Sequence, residues 1–520
     1  MSFGGRTRRA FLQGSALAAA SLAFGCGRDE RVERSRAVVI GTGFGGSIAA
    51  YRLAQAGIEV VVLERGRRWA VTDAEDTFPS VRAPDRRAAW FDTTTVLPGA
   101  PSASIEPYAG LLEMIRSPKL NVICGAGVGG NSLVFGGIMI QPSQALFERT
   151  FPKEVAYAEM NADYYPRVRK MMRTASIPDD ILSSEAYAST RVFIAQAKKA
   201  GLEPEIIQNA IDWDLIRKEI TGEKKPSAIV GDYNYGLNSG AKNSLDRTYL
   251  AEAEKTGRVD LRPLHVVTRI AALGSGQFLV TAEHIDEEGA VLEVVSFRTS
   301  HLVLGAGCMG TNKLLLAARA RGDLTKLGPH LGRGFSNNGQ IIAVRAGVGV
   351  PTGSLQGGPP TAFIRQPDNQ HAPISIENGP GPFPTDCQCL INICHGIPDE
   401  LGSLSLDEKT GSIVVSWDKS YAAKTQAGFD AALAALNQAN AGVLLPLAGV
   451  AGSDNTYHPL GGASMGLVCD SWGRIAGHPG LYVVDGALIP GATGCANPAL
   501  TIGAVAERCM DRILAENVIG

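Results

Sequence analysis

Residues 37–66, AVVIGTGFGGSIAAYRLAQAGIEVVVLERG, constrain the fold of this chain more than any other stretch. An apolar run leads into Gly41, Gly43 and Gly46, a helical pattern comes next, and a second apolar run ends at Glu64. In the G-x-G-x-x-G pattern the first glycine makes the tight turn and the second lets a pyrophosphate approach the backbone. The third lets the helix pack closely on the strand. Phe44 and Gly45 open the helix, whose N-terminus then faces the phosphates, and Glu64 is placed to hold ribose hydroxyls. Strand, helix and acidic residue occur together, so a mere tight turn is a poor account of these glycines.

The fingerprint does not separate NAD from FAD, but the downstream segments do. A nicotinamide enzyme normally continues with further strand–helix units, whereas this chain enters a long irregular stretch containing RAPDRRAAWFDTTTVLPGAPSAS. A second glycine loop, CGAGVGGNSLVFGG, supplies Gly125, Gly127, Gly129, Gly130, Asn131 and Ser132. Nucleotide-domain character returns at HLVLGAGCMGTNKLLLAARA, where Gly305 and Ala306 follow a buried-strand pattern and precede a helix. A binding domain assembled from separated segments around FAD fits this order.

The 520 residues are 45% hydrophobic and 19% charged, enough for a large core and more than one domain. A net charge of -2, from 49 basic and 51 acidic residues spread along the chain, excludes a polycationic surface and predicts no nucleic-acid partner. The N-terminus, MSFGGRTRRAFLQGSALAAASLAFGCG, has paired Arg8 and Arg9 before a short uncharged run. It predicts an export signal over residues 1–30 of the twin-arginine type and a periplasmic or extracellular destination. The run is shorter than the roughly 20 residues of a spanning helix. Cys26 resembles a lipoprotein cleavage box with an imperfect residue order, which admits a lipid anchor there.

Among the remaining cysteines only CQCLINICH, with Cys387, Cys389, Cys394 and His395, forms a cluster. Its spacing does not suit a metal, none is expected, and the thiols read as packing residues of a half-buried strand. No disulfide framework is legible.

The two glycine loops, NSLDRTYL, LGAGCMGTNKLLLAAR, TYHPLGGASMG and GRIAGHPGLYVVDGALIPGATGCANPALTIGAVAERCMDRIL together resemble the glucose-methanol-choline (GMC) oxidoreductases. Within that group they are most similar to the bacterial cholesterol oxidases. The resemblance runs in order from Ala37 to near the C-terminus and is densest around the flavin. It implies an α/β fold: a Rossmann-like FAD-binding domain from residues 35–75, 120–140, 244–335 and 470–520. A second, α+β substrate-binding domain, residues 76–119, 141–243 and 336–469, is expected to place a sheet as a roof over the flavin.

His458 stands before Pro459, which forces an extended backbone, and before Gly461 and Gly462, which are expected to let the chain pass close to the cofactor. By resemblance, His458 orients the substrate hydroxyl and assists in taking up its proton. The other seven histidines lack this context and read as packing residues. Asn497 and Pro498 make a strong helix start, with asparagine as an ordinary cap. The resemblance instead sets Asn497 beside the flavin and the substrate oxygen, on a helix whose N-terminus stabilises negative charge. The same helical pattern puts Glu507 and Arg508 on its outer side. Asp485 and Gly486 are expected to contact the ribityl or phosphate region.

Glu377, in APISIENGPGPFP, ends a short alternating pattern ahead of a Gly-Pro run. It reads either as a surface carboxylate at a strand end or as a carboxylate in an apolar pocket with a raised pKa. In the resemblance, the matching glutamate shuttles a proton during double-bond migration. Phe135 and Ile138 depart from the family pattern, where asparagine and methionine are expected, so the flavin edge is less polar.

The implied reaction is oxidation of a 3β-hydroxysteroid, or another hydrophobic secondary alcohol, to the ketone. O2 is reduced to H2O2, Glu377 adds a Δ5 to Δ4 isomerisation, and a transient membrane-surface contact extracts the sterol. The alternative is a GMC dehydrogenase for a non-steroid alcohol with a quinone or protein acceptor.

Overall fold

The computed structural model describes residues 31–97, 102–274, 276–383, 385–446 and 454–516. The export signal and Cys26 lie outside them. Strand β1 (Ala37–Ile40), helix α1 (Phe44–Gln55) and strand β2 (Val60–Leu63) form where the glycine pattern places them. β3 (Val259–Arg262), β4 (His301–Leu304), helix α2 (Gly307–Arg321), β5 (Leu481–Val483) and helix α3 (Pro498–Ala515) complete the unit. The strands make one parallel sheet in the spatial order β5-β4-β1-β2-β3. Val39 pairs with Val62 on one side and Val303 on the other. Strands covered on both faces read as unbroken apolar runs, and β1, β2, β4 and β5 are buried throughout.

Gly41 adopts φ +92°, and a Cβ there would lie 2.4 Å from the Gly305 carbonyl oxygen. A Cβ on Gly46 would lie 1.9 Å from the Gly41 carbonyl oxygen, so the third glycine is a packing requirement between helix and strand.

Glu507 and Arg508 do not face outward on α3; both are buried. The helix packs between α1 and the helix Tyr165–Met171, and each charge has partners. Glu507 accepts from Arg52 Nε at 2.5 Å and the Tyr249 hydroxyl at 2.7 Å, while Arg508 Nε donates to Glu159 at 3.1 Å. Burial of charge is tolerated because of that pairing.

The second layer is a six-stranded antiparallel sheet. Its spatial order is Val443–Pro446, Ile341–Ala346, Leu390–Gly396, Ile374–Gly379, Ala362–Gln366 and Pro204–Ile206. Ile374, Ile376 and Cys394 pack with Phe193, Phe429 and Leu433 of the helices Ala188–Lys199 and Ala423–Ala439. The alternate residues, Glu377, Ile391 and Ile393, line a cavity on the opposite face, so the sheet roofs it.

Cys387 and Cys389 precede the strand Leu390–Gly396 and are joined by a disulfide, contrary to their reading as packing thiols. A pair two residues apart closes too short a loop to leave a framework signal in sequence.

Candidate functional site

A cavity of about 1290 Å³ runs from the parallel sheet to the roof sheet. Gly41, Gly43, Phe44, Gly45, Glu64, Gly125, Gly130, Asn131, Gly305, Ala306, Asp485, Gly486, Asn497 and Pro498 all line it. Gly46, Gly127, Gly129 and Ser132 do not. Gly127 sits against Trp69 and Leu133, the Gly129 N–H donates to Thr42 Oγ1 at 3.0 Å, and Ser132 Oγ donates to the Gly129 carbonyl at 2.7 Å. These three shape the second loop from behind.

The lining fits an anionic dinucleotide. Gly43 caps α1 without a side chain, which leaves the N–H groups of the first turn free to face the cavity. Glu64 is fixed at the end of β2 by the Thr42 N–H at 3.0 Å, Thr42 Oγ1 at 2.6 Å and the Gly66 N–H at 2.9 Å. Thr42 is a contributor that the sequence pattern does not single out. Asp485 accepts from the Ala487 N–H at 2.9 Å and from Thr311 of α2, and burial pushes its carboxyl up to about 6.

The second end of the cavity gathers His458, Asn497 and Glu377. The strand Asp454–Thr456 pairs in parallel with Leu120–Gly125, the strand that enters the second glycine loop, so the His458 segment is tied to that loop. Gln340 Oε1 accepts from Thr456 Oγ1 and the Tyr457 N–H, both at 3.0 Å, and holds the segment in place. Gly461 and Gly462 do not line the cavity: their missing Cβ atoms make room for the Gly334 carbonyl, 2.0 Å away, and the Asn312 amide, 2.4 Å away. The glycines therefore serve packing on α2 and the chain before the roof, which local sequence cannot distinguish from cofactor approach.

Glu377 is not at a strand end. It is an interior residue of Ile374–Gly379, flanked by a strand on each side and fully buried. Desolvation pushes its carboxyl up to about 8. Asn497 caps α3 with its backbone only; its side chain makes no capping bond, and Nδ2 instead points to Glu377 Oε2 at 3.5 Å. Pro498, Ala499 and Ile502 turn the positive end of α3 into the cavity. His458 is half-buried with its Nδ1 out of solvent, and desolvation holds its imidazole down to about 3.

Unmet polar atoms cluster here. His458 Nδ1, Asn497 Oδ1, Glu377 Oε1 and both ring nitrogens of His395 are buried without a hydrogen-bond partner. Each such atom costs about 1–3 kcal/mol, so a group of them in one place marks a candidate site for a polar ligand.

Two neighbours escape the sequence reading: His395, which reads there as a packing residue beside the cysteine cluster, and Lys242, which carries no motif. His395 is fully buried and its ring stacks on that of His458, with centroids 4.9 Å apart. Lys242 is buried and donates to the Leu133 carbonyl at 2.8 Å and the Tyr233 carbonyl at 2.7 Å, and desolvation holds its amine down to about 7. It lies 5.9 Å from the ring of Phe135, which lines the cavity together with Ile138. Among the described residues one group has metal-ligand character, His265, His284 and Glu293, with ligand atoms within 4.8 Å of one another. It crosses three mutually antiparallel strands of a separate sheet, and of its members only His265 lines the cavity.

A family model for GMC oxidoreductases matches residues 401–506, and one for NAD(P)-binding Rossmann-like domains matches residues 39–96. The chain is 25% identical to a cholesterol oxidase of Mycobacterium tuberculosis, across 91% of this chain and 89% of that one. It is also 25% identical to a long-chain-alcohol oxidase of Arabidopsis thaliana, but over only 44% of this chain and 26% of the other. Among solved structures, pyridoxine 4-oxidase from Mesorbium loti superposes with TM-score 0.63 at 16% identity, covering 92% of this chain and 99% of that one. A variant of the Aspergillus oryzae formate oxidase, studied for its FAD modification, gives TM-score 0.62 at 16% identity over 93% and 98% of the two chains. The glycine trough, the second loop and the His458 end of the cavity occur in one fold with these matches: residues 401–506 carry the GMC oxidoreductase pattern, the chain is similar to cholesterol oxidase over most of its length, and FAD is the cofactor that these similarities indicate.

Proposed function

We propose that this enzyme oxidises the hydroxyl of a 3β-hydroxysteroid or a similar apolar secondary alcohol to the ketone, with O2 as electron acceptor, and then moves the Δ5 double bond to Δ4. The observation that carries the reading is the convergence of His458, Asn497 and Glu377, each with an unmet polar atom, at the apolar end of the FAD cavity. FAD, held by the Gly41–Gly45 turn, Glu64, the second loop and Asp485, supplies the hydride acceptor.

The protein provides position and protons. His458 is neutral across the physiological range, so its ring nitrogen offers a lone pair to the substrate hydroxyl. Asn497 fixes the substrate oxygen at the start of α3, where the helix end favours developing negative charge. Glu377, whose carboxyl is raised to about 8, acts as a base in its deprotonated form: the carboxylate takes a proton from one ring carbon of the new ketone and returns it to another, with no net gain or loss. Val81, Leu97, Phe383, Ile391 and Ile393 give the cavity apolar walls that suit a fused-ring skeleton.

A membrane-surface contact is supported by Val443, Leu444 and Leu445, which are exposed on the edge strand of the roof sheet. The Cys387–Cys389 disulfide supports export to an oxidising compartment. The partial match to a long-chain-alcohol oxidase favours a second reading, a non-steroid apolar alcohol, for which a quinone or protein acceptor stays open.

The test is anaerobic mixing of the FAD-loaded protein with cholesterol, then admission of air. Bleaching of the flavin, recovery with hydrogen peroxide, and a conjugated enone product support the full reading. Bleaching by long-chain alcohols alone removes the steroid. Bleaching without peroxide in air, with turnover on a quinone, removes the oxidase.

A further inference from the structure

His395 is the residue at this site with the least ordinary reason to be there. It lies on the strand Leu390–Gly396, on the same face as Ile393 and diagonal to Glu377 across the strand pair. Its Nδ1 is 3.3 Å from Glu377 Oε1, although the two are misaligned for a hydrogen bond. Its ring stacks on His458 at an interplanar angle of 29°. A packing residue in this position has a cheaper solution: phenylalanine fills the space without stranding two nitrogens at about 1–3 kcal/mol each.

The two oxygens of Glu377 have different neighbours. Oε2 faces the Asn497 amide, which lines the cavity; Oε1 faces His395, which does not. We propose that His395 is the proton partner of Glu377: it holds the carboxyl proton on the Oε1 side and so keeps Oε2, beside Asn497, as the basic face turned to the substrate.

The inference rests on the reading of this cavity as an alcohol-oxidation site and concerns how its proton is handled. When a substrate proton bonds to Oε2, the O–H bond at Oε1 breaks and an N–H bond forms at His395 Nδ1. The carboxyl stays neutral, the imidazole becomes imidazolium, and no electrons are gained or lost by either group. Return of the proton reverses these bonds.

The titratable groups set against the ring are Glu377 on the neighbouring strand and His458 on the loop beneath. Ser375, directly opposite on that strand, is uncharged and donates to the Cys495 carbonyl. Burial pushes the Glu377 carboxyl up and both imidazoles down, so the resting trio is neutral. Charge on one stacked ring disfavours charge on the other, so a proton on His395 leaves the His458 lone pair available to the hydroxyl. His395 is thus a positioning residue that acts through Glu377 and His458.

The test compares H395F and H395N in the FAD-loaded enzyme, by the pH dependence of Δ5 to Δ4 conversion of an added 5-en-3-one steroid, the step assigned to Glu377. Phenylalanine keeps the ring volume and loses the proton partner; isomerisation is expected to slow about 100-fold. The Glu377 titration in the rate profile should move down by about one pH unit, because the lost acceptor had stabilised the protonated carboxyl. Asparagine can still hydrogen-bond the carboxyl and is expected to stay within about tenfold of wild type with the profile unmoved. Packing alone predicts the reverse order, and a wild-type profile in H395F overturns the proposal.

A second arm needs no substrate. With 15N-labelled histidine, the His395 Nδ1 resonance should shift in E377Q, and an unmoved resonance overturns the pairing. If the wild type does not isomerise the steroid, the isomerisation reading fails while this arm still decides the pair.

Discussion

The side-chain amide of Asn497 lies 3.5 Å from Glu377 Oε2, across 120 residues of chain. One residue begins the last helix of the FAD layer and the other sits inside the roof sheet, so this contact is where the two layers meet over the cavity. Because the amide favours the charged carboxylate, it pulls the Glu377 pKa down against desolvation. In N497A the carboxyl should titrate above its wild-type value of about 8, and anaerobic flavin reduction should fall about 100- to 1000-fold. Stopped-flow reduction across pH checks both. A variant with an unshifted profile would leave Asn497 as a helix cap and no more.

Glu377 also links stability to pH. Its folded carboxyl, at about 8, holds a proton that the unfolded carboxyl releases near 4.5, so the folded state binds more protons between those values. Stability is therefore lost as pH rises through this window, by up to about 1.4 kcal/mol per unit. E377Q removes the titration. Its advantage over wild type in chemical denaturation should grow from about pH 5 to about pH 8 and then level off. A constant difference would mean that the carboxyl is not held neutral.

His458 gives the opposite slope. Its folded pKa, about 3, lies below the ordinary 6.5, so its contribution is present above 6.5 and is lost as pH falls towards 3. H458Q should flatten the acid side of the stability curve while flavin reduction drops about 100-fold or more. Equal acid sensitivity in variant and wild type would argue that the ring is charged in the folded protein.

Thr42 should control cofactor affinity without touching the chemistry. Valine retains the backbone bond to Glu64 and removes the 2.6 Å hydroxyl bond, leaving the carboxylate less firmly oriented. FAD binding to the apoprotein, monitored by flavin fluorescence, should weaken about tenfold. The reduction rate of the loaded enzyme should hardly change. An unaltered Kd would remove Glu64 from the cofactor site.

Export has its own readout. Replacing Arg8 and Arg9 by lysine should retain the protein in the cytoplasm, and non-reducing peptide mapping of exported protein should recover Cys387 and Cys389 as a bonded pair. Wild-type protein found only in the cytoplasm would dismiss the signal.

The layout of the FAD half was legible because its information is local: a glycine turn, apolar runs of strand length and a helix start each derive from neighbouring residues. The family motif likewise marked His458 and Asn497. Tertiary packing decided the rest. Glu507 and Arg508 turned inward because Arg52 and Glu159 meet them from other helices. Gly461 and Gly462 proved to make room for Gly334 and Asn312, and Asn497 turned from its own helix towards Glu377. His395 sits in the CQCLINICH cluster, but that pattern does not show its place in the site, because this depends on which strand lies beside it and which ring lies beneath. Sequence alone determined the nucleotide-binding scaffold, since short-range backbone sterics and hydrophobic periodicity suffice for it. The grouping of His458, Asn497 and Glu377 was decided only by the fold, since desolvation and contact between distant segments set the surroundings of these side chains.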